Sequence, residues 1–193
     1  MVQSQRRLKK GYEIEIRDAQ ISDVDDIWDV FNMVVDEGVY LPVSAQVKNK
    51  ADKRSWFYEL ITAGDFCLVA ILKDSAGSEK FLGQVTIETS SEWDGIDHVG
   101  ILGILVHPEY RNIGVGQSLI EEACTEALAR GKKKITLSVF HTNPRAIALY
   151  SKMGFEIAGR RKCQFKVNDV YVDEILMEKF LVPASELDRA PDT

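Results

Sequence analysis

The sequence predicts one domain of the α/β class, in its α+β form: a mixed, mostly antiparallel sheet of about seven strands with helices on both faces. Three observations predict it. Segments with strand and helix periodicity alternate along the chain without internal repeats. The 193 residues are 45% hydrophobic and 28% charged, which is enough apolar material for a single core of ordinary size. A glycine-rich loop at residues 111–117 stands between an apolar run and an amphipathic segment, as between a strand and a helix.

Each element has its own local signal. Tyr12 to Arg17 alternates between polar and apolar residues, which predicts a strand, and Ser22 is placed to cap the helix that follows. Gly64 ends a second helix, and Asn168-Asp169 is suited to turn the last hairpin. The expected strands are 12–17, 66–72, 81–88, 97–106, 135–140, 156–167 and 170–180, and the expected helices are 23–36, 45–63, 114–130 and a short one after Asn143.

The predicted domain spans residues 12–182, between two polar ends. Residues 1–11 are basic and lack the apolar stretch of a signal peptide, so a flexible amino terminus is expected, and residues 183–193 are expected to form a polar tail. No segment suggests a membrane span, and the net charge of −6 argues against a general nucleic-acid binder. The three cysteines have no paired spacing, which favours neither disulfides nor a metal site and suits a cytoplasmic location.

The glycine loop has the chemistry of an anion-binding site. Gly114 and Gly116 allow positive φ and close backbone approach, and the first amides of the following helix lack an internal acceptor. The N–H groups of residues 112–117 could therefore converge on one phosphate. Leu119 stands where a dinucleotide fingerprint needs its third glycine, and the Gly-Lys-Ser/Thr of nucleoside triphosphatases is absent. The alternative is a helix start whose glycines serve only tight packing.

A second motif runs from Asn143 to Phe155. Asn143 suits a helix N-cap, Pro144 suits the first helical position, and Gly154 suits the exit. Its apolar residues form one stripe that packing explains. Packing does not explain a phenol at position 150 or an amide at position 143.

In this order the two motifs resemble the GNAT superfamily of acetyl-CoA-dependent N-acetyltransferases. The resemblance extends weakly back to residues 14–19 and forward to residues 171–177, so it covers most of the chain. The stretch 98–106, taken with 155–159 and 171–173, looks most like the branch that acetylates free amino acids and similar small amines. In that fold the strand before the glycine loop splays away from the strand after it, and the cofactor lies in the gap.

The resemblance implies acetyl-CoA as co-substrate and no metal. Tyr150 matches the family's tyrosine, which implies that its hydroxyl protonates the departing thiolate; the alternative is an aromatic packed in the core. The residues expected to bind the cofactor are Leu105, Val106, Arg111, Asn112, Ile113, Gly114, Val115, Gly116, Gln117, Asn143, Ala146, Tyr150 and Lys152.

The general base is less well defined. Many relatives place a glutamate at the position that aligns with Ile101, and this chain has none there. His98, Asp97 and Glu88 lie on or near strands that border the expected gap and are the candidates; the ordinary pKa of a histidine side chain suits the role. A lone histidine on a strand is more often structural, and water can carry the proton without a fixed residue.

The acceptor is expected between the connection of the first two helices and the last hairpin. Glu37 and Tyr40 are the expected substrate-binding residues, and residues 160–162 could meet a carboxylate, although solvated surface is the alternative for these charges. The expected substrate is a small primary amine such as an amino acid. The alternatives are a protein amino-terminal or ribosomal-protein acetyltransferase, an acyl-CoA sensor without turnover, and a scaffold domain that binds no CoA. Relatives often form dimers, which makes a homodimer an option that no residue pattern decides.

Overall fold

A computed structural model describes residues 2–73, 78–90 and 94–187. Its described residues form a sheet of eight strands in the order β1-β2-β3-β4-β5-β6-β8-β7. The strands are β1 Gln3–Arg7, β2 Glu13–Asp18, β3 Phe66–Lys73, β4 Glu79–Glu88, β5 Val99–Val106, β6 Lys134–Phe140, β7 Glu156–Val167 and β8 Val170–Phe180. The helices are α1 Val24–Glu37, α2 Lys50–Thr62, α3 Val115–Ala129 and α4 Pro144–Lys152, with short 3-10 turns between elements. The predicted fold class is confirmed.

Helices cover both faces of the sheet because its central strands are apolar on both sides. On β3, Leu68 and Ala70 pack into the core beneath α3 and α4, whereas Val69 and Ile71 pack against α1 and α2. All four side chains are buried. Successive side chains of a strand point to opposite faces, so this continuous apolar run produces two cores separated by one sheet.

The splayed pair of strands lies where β5 meets β6, in parallel orientation. Val99 to Ile101 pair with Lys134 to Thr136, and the pairing stops there. Beyond that point β5 stays with β4, whereas β6 continues along β8 as far as Phe140. A gap therefore opens between the carboxyl-terminal halves of β5 and β6, directly before the glycine loop.

The amino terminus differs from the prediction of a flexible segment at residues 1–11. Residues 3–7 form β1, an edge strand antiparallel to β2. The hydroxyl of Ser4 and the guanidinium of Arg6 each donate to the carboxylate of Glu122 on α3, at 2.9 Å. Strand pairing with β2 and the contacts of Ser4 and Arg6 with Glu122 therefore hold this segment against the domain.

The second helix begins at Lys50 rather than near residue 45. Asn49 caps it, its side chain accepting from the Ala51 amide at 2.9 Å. Asn32 on α1 exchanges two hydrogen bonds with the backbone of Val47, both of 2.9 Å, which hold this part of the chain outside the helix. The connection from α1 to α2 is consequently longer than expected.

The remaining expected boundaries fall close to the observed ones. The turn between β3 and β4 includes residues 74–77, and the polar tail includes residues 188–193; both lie outside the described residues. Residues 184–186 form a short 3-10 turn. Across the residues that the structure describes, no helix has both the length and the apolar character that a bilayer span requires.

Candidate active site

One cavity of about 640 Å³ occupies the gap between the splayed strands and continues beneath α1 and α2. Within the gap, its wall comes from β4 and β5, the glycine loop, the start of α3, and α4. Of the thirteen residues expected to bind the cofactor, those that line this cavity are Leu105, Val106, Arg111, Asn112, Gly114, Gly116, Gln117, Asn143, Ala146, Tyr150 and Lys152. The fold thus brings together two motifs that are well separated along the chain.

Two of the expected cofactor residues, Ile113 and Val115, do not line the cavity. Their side chains are buried in the core beneath α3. They can offer a ligand only their backbone groups, which is the part of the residue that an anion-binding loop uses. Their apolar identity serves to anchor the loop.

The glycine loop turns into α3 through two residues with left-handed backbone. Asn112 has φ 69° and Gly114, the N-cap residue, has φ 112°. The amides of the first helical turn have no intrahelical acceptor and carry the positive end of the helix dipole. Gly116 has a packing role as well, because a Cβ there would lie 3.3 Å from Leu149 on α4. Tight packing, one of the two explanations that the sequence left open, therefore applies to Gly116, and the backbone geometry of the loop is compatible with the other, anion binding.

The second motif forms α4 as predicted. The side chain of Asn143 accepts from the Ala146 amide at 3.1 Å, which is the expected cap. Lys152 donates to the side-chain oxygen of Gln117 at 2.9 Å, which ties α4 to the first turn of α3. A cation at the carboxyl end of α4 consequently lies beside the amino terminus of α3.

Tyr150 is both a core residue and a cavity residue. It is 8% exposed and meets the ring of Phe155 edge-on, with 6.0 Å between centroids. Desolvation by burial raises the pKa of Tyr150 to about 12. The phenol therefore stays protonated at any ordinary pH and can donate a hydrogen bond into the cavity.

The structure separates two of the candidate bases. Glu88, at the end of β4, lines the cavity and is the direct cross-strand partner of Ile101, the position at which many relatives carry their glutamate. The Glu88 side chain therefore lies on the same face of the sheet as the side chain at position 101. His98 precedes β5, its side chain is 49% exposed, and it does not line the cavity. Seven positions separate it from Leu105, about 23 Å along a strand. The fold therefore places His98 apart from the cavity, and its role as the base stays a prediction.

The two expected substrate residues also separate. Tyr40 lines the cavity, whereas Glu37 does not. The guanidinium of Arg111 donates to the carboxylate of Glu37 at 2.7 Å. Arg111 also donates to the Val106 carbonyl at 3.2 Å and lies over the Tyr40 ring, 5.2 Å from its centroid. Because its carboxylate is already neutralised, Glu37 is not free to attract an ammonium. It fastens the end of α1 to the glycine loop instead.

Sequence reasoning missed the aromatic wall of the cavity. Trp28 and Phe31 on α1 and Trp56 on α2 line it together with Gln84 and Thr86 of β4. The first two rings meet edge-on at 4.9 Å, and Trp28 meets Trp56 at 5.4 Å. The sequence signal was three large rings within two successive helices. Among the described residues, no group of three or more histidine, cysteine or acidic side chains is arranged to hold a metal ion.

Comparison with known proteins agrees with this geometry. Residues 29–155 match the acetyltransferase (GNAT) family. The Escherichia coli K12 [ribosomal protein bS18]-alanine N-acetyltransferase is 34% identical over 82 residues, covering 42% of this chain and 55% of that protein. The thialysine N-epsilon-acetyltransferase of Bos taurus is 30% identical over 147 residues, covering 73% and 83%. The chain spans only about half the length of the first curated relatives it matches.

Solved structures extend the match to the fold. A GNAT superfamily phosphinothricin acetyltransferase from Sinorhizobium meliloti, in complex with acetyl-CoA, superposes with a TM-score of 0.80 at 22% identity, covering 91% of this chain and 92% of that one. An eight-stranded sheet splayed before a glycine loop, together with the family match over residues 29–155, leads to one conclusion: the chain belongs to the GNAT acetyltransferase family.

Proposed function

We propose that this protein is an acetyl-CoA-dependent N-acetyltransferase that acetylates the primary amine of a small molecule by direct attack in a ternary complex. One observation carries the proposal: the glycine loop, Tyr150 and Glu88 all line a single cavity. Cofactor and acceptor can therefore occupy the cavity at the same time. Membership of the GNAT family supports the choice of donor.

The cofactor would bind along the gap. Backbone amides of residues 112–117 would hold its diphosphate at the positive end of α3, and Lys152 would add a cation nearby. Past Ile101 the edge of β5 that faces β6 is free of strand pairing, so its backbone can pair with the amide groups of the pantetheine arm like an added strand. This arrangement directs the thioester toward Tyr150 and the acceptor end.

The reaction needs three groups around the thioester. The acceptor ammonium, with a pKa of ~10, must lose a proton before it attacks, and Glu88 would receive that proton directly or through water. An amide of β5 near Val106 would donate to the oxyanion that forms. The neutral hydroxyl of Tyr150 would donate a hydrogen bond to the departing thiolate.

The test has two parts. Calorimetric titration with CoA should show binding, and Gly114→Pro should abolish it, because a proline at an N-cap with φ 112° cannot adopt the loop conformation. Thiol release from acetyl-CoA should then depend on an added amine. Binding without release on any amine would favour a sensor, and release on peptides with a free amino terminus but on no small amine would favour a protein acetyltransferase.

A further inference from the structure

We propose that the acceptor is an aromatic or strongly apolar primary amine that carries no carboxylate beside its amine, an arylalkylamine rather than an amino acid. This inference rests on the proposed function and names the substrate class of the same site. It follows from the walls of the acceptor end, the polar row on its floor and the distribution of charge around the cavity.

The walls of the acceptor end are apolar and mostly aromatic. Trp28, Phe31 and Trp56 stand edge to face, and Tyr40 and Leu41 of the connection after α1 extend the same surface. Each of these five side chains is at least partly exposed although the helices that carry the tryptophans pack on the sheet. Rings lining an open volume offer edge and face contacts to another ring, which is how aromatic ligands are held.

The floor of the acceptor end is a polar row on β4. Gln84, Thr86 and Glu88 alternate along the strand, so they share the face covered by α1 and α2. Gly103 lies opposite Thr86, and a Cβ there would come within 2.8 Å of the threonine hydroxyl oxygen. The absence of a side chain at Gly103 keeps this floor open. The row ends at Glu88, the one carboxylate among the described residues that line the cavity.

Three of the four cations among the described residues that line the cavity lie at its cofactor end. Lys9 sits beside the loop, its amide donating to the Ile113 carbonyl, and Arg145 and Lys152 lie on α4. Arg111, the remaining lining cation of the described residues, is paired with Glu37. An ammonium at the acceptor end would therefore meet the carboxylate of Glu88, with aromatic faces around it.

The cations expected to receive a substrate carboxylate are turned elsewhere. Arg160 binds Asp173 at 2.6 Å and Arg161 binds Glu174 at 3.0 Å, and neither lines the cavity. Lys53 on α2 points to Asp29, 3.3 Å away. An amino acid's carboxylate would thus enter an aromatic pocket without a counter-ion and next to Glu88, which is unfavourable.

The decisive experiment compares 2-phenylethylamine with L-phenylalanine, which differ only by the carboxylate. Thiol release is measured with both and with spermidine, ethylamine and a peptide with amino-terminal alanine. We expect kcat/KM for 2-phenylethylamine to exceed that for phenylalanine and for ethylamine by about tenfold or more. Equal or faster turnover of phenylalanine or spermidine would overturn the acceptor class and leave the proposed function standing, whereas turnover of the peptide alone would overturn both. If none of the amines supports thiol release, both the acceptor class and the proposed function are overturned.

A variant pair locates the effect. Trp56→Ala should lower kcat/KM for 2-phenylethylamine about tenfold and leave that for ethylamine within about threefold, with Trp56→Phe restoring most of the loss. Tyr58→Ala is the matched control, because Tyr58 lies on the same helix, is exposed and does not line the cavity. Equal losses on both amines in a folded Trp56→Ala protein would contradict the placement of the ring.

Discussion

The hydroxyl of Tyr150 is the single atom whose removal tests the site most directly. Tyr150→Phe deletes one oxygen from a side chain that is 8% exposed and keeps the ring contact with Phe155. Folding and CoA affinity should therefore change little. The turnover number should fall about 10²- to 10³-fold, the usual cost of removing one donor aimed at a charge that develops in the transition state.

The magnitude depends on the protonation state of this phenol. Burial raises the pKa of Tyr150 to about 12, compared with ~10 for a free tyrosine. At ~1.4 kcal/mol per pKa unit, the site favours the neutral phenol by about 3 kcal/mol. A thiol has a pKa of ~8.5, so the phenol is the weaker acid, and it should stabilise the thiolate through a hydrogen bond without giving up its proton.

The same pKa makes a prediction for stability. The unfolded chain loses this proton near pH 10, whereas the folded chain keeps it until about pH 12. The unfolded state therefore binds fewer protons in this window, and the wild type should lose up to about 3 kcal/mol of stability relative to Tyr150→Phe as the pH rises from about 10 to about 12. Denaturant unfolding of both proteins across that window measures the difference.

The assay combines thiol release with calorimetric titration of CoA. Tyr171→Phe is the control, since Tyr171 on β8 is exposed and does not line the cavity. An unchanged turnover number for Tyr150→Phe would refute the role of the hydroxyl. A loss of CoA affinity as large as the loss of turnover would show that the hydroxyl serves binding instead.

Three further predictions concern groups around the cavity. Glu88→Gln should lower kcat/KM by about 10²-fold or more; a value within about threefold of the wild type would exclude Glu88 as the base. Glu37→Gln should cost less than about 1 kcal/mol of stability and speed hydrogen exchange in residues 38–47, because it releases Arg111; unchanged exchange there would count against the fastening role. Gly116→Val should destabilise the fold by about 1–3 kcal/mol and weaken CoA binding, since even a Cβ at this position meets Leu149 at 3.3 Å; a normal melting temperature would contradict this packing.

The local features of the site could be predicted because their signals lie within a few consecutive residues. The cap at Asn143 and the loop at Gly114 depend on backbone conformations that few residue types accept. The apolar run of β3 and the periodicity of α1 depend on burial at spacings of two and 3.6 residues. These signals were sufficient for the fold class and for most of the cofactor end.

The positions that changed roles depend on pairing between distant segments. His98 directly precedes β5, and Glu88 ends β4. Only the strand register, which sets Glu88 opposite Ile101, shows that Glu88 lines the cavity and that His98 does not. The sequence does not show that Glu37 pairs with Arg111, because the fold brings the two residues together from distant segments. Residues 3–7 have the composition of a basic tail, and only their pairing with β2 and the contact of Arg6 with Glu122 show that they form a strand.

The sequence by itself therefore determined the order of the strands and helices after β1, the glycine loop and the helix that carries Tyr150. Short-range backbone and burial preferences act within each segment and need no partner. Only the tertiary structure decided which carboxylate faces the cavity, which one is neutralised by Arg111, and that Trp28 and Trp56 line an open volume. Those outcomes depend on strand register and helix docking, which join residues far apart in the chain through contacts that no local pattern encodes.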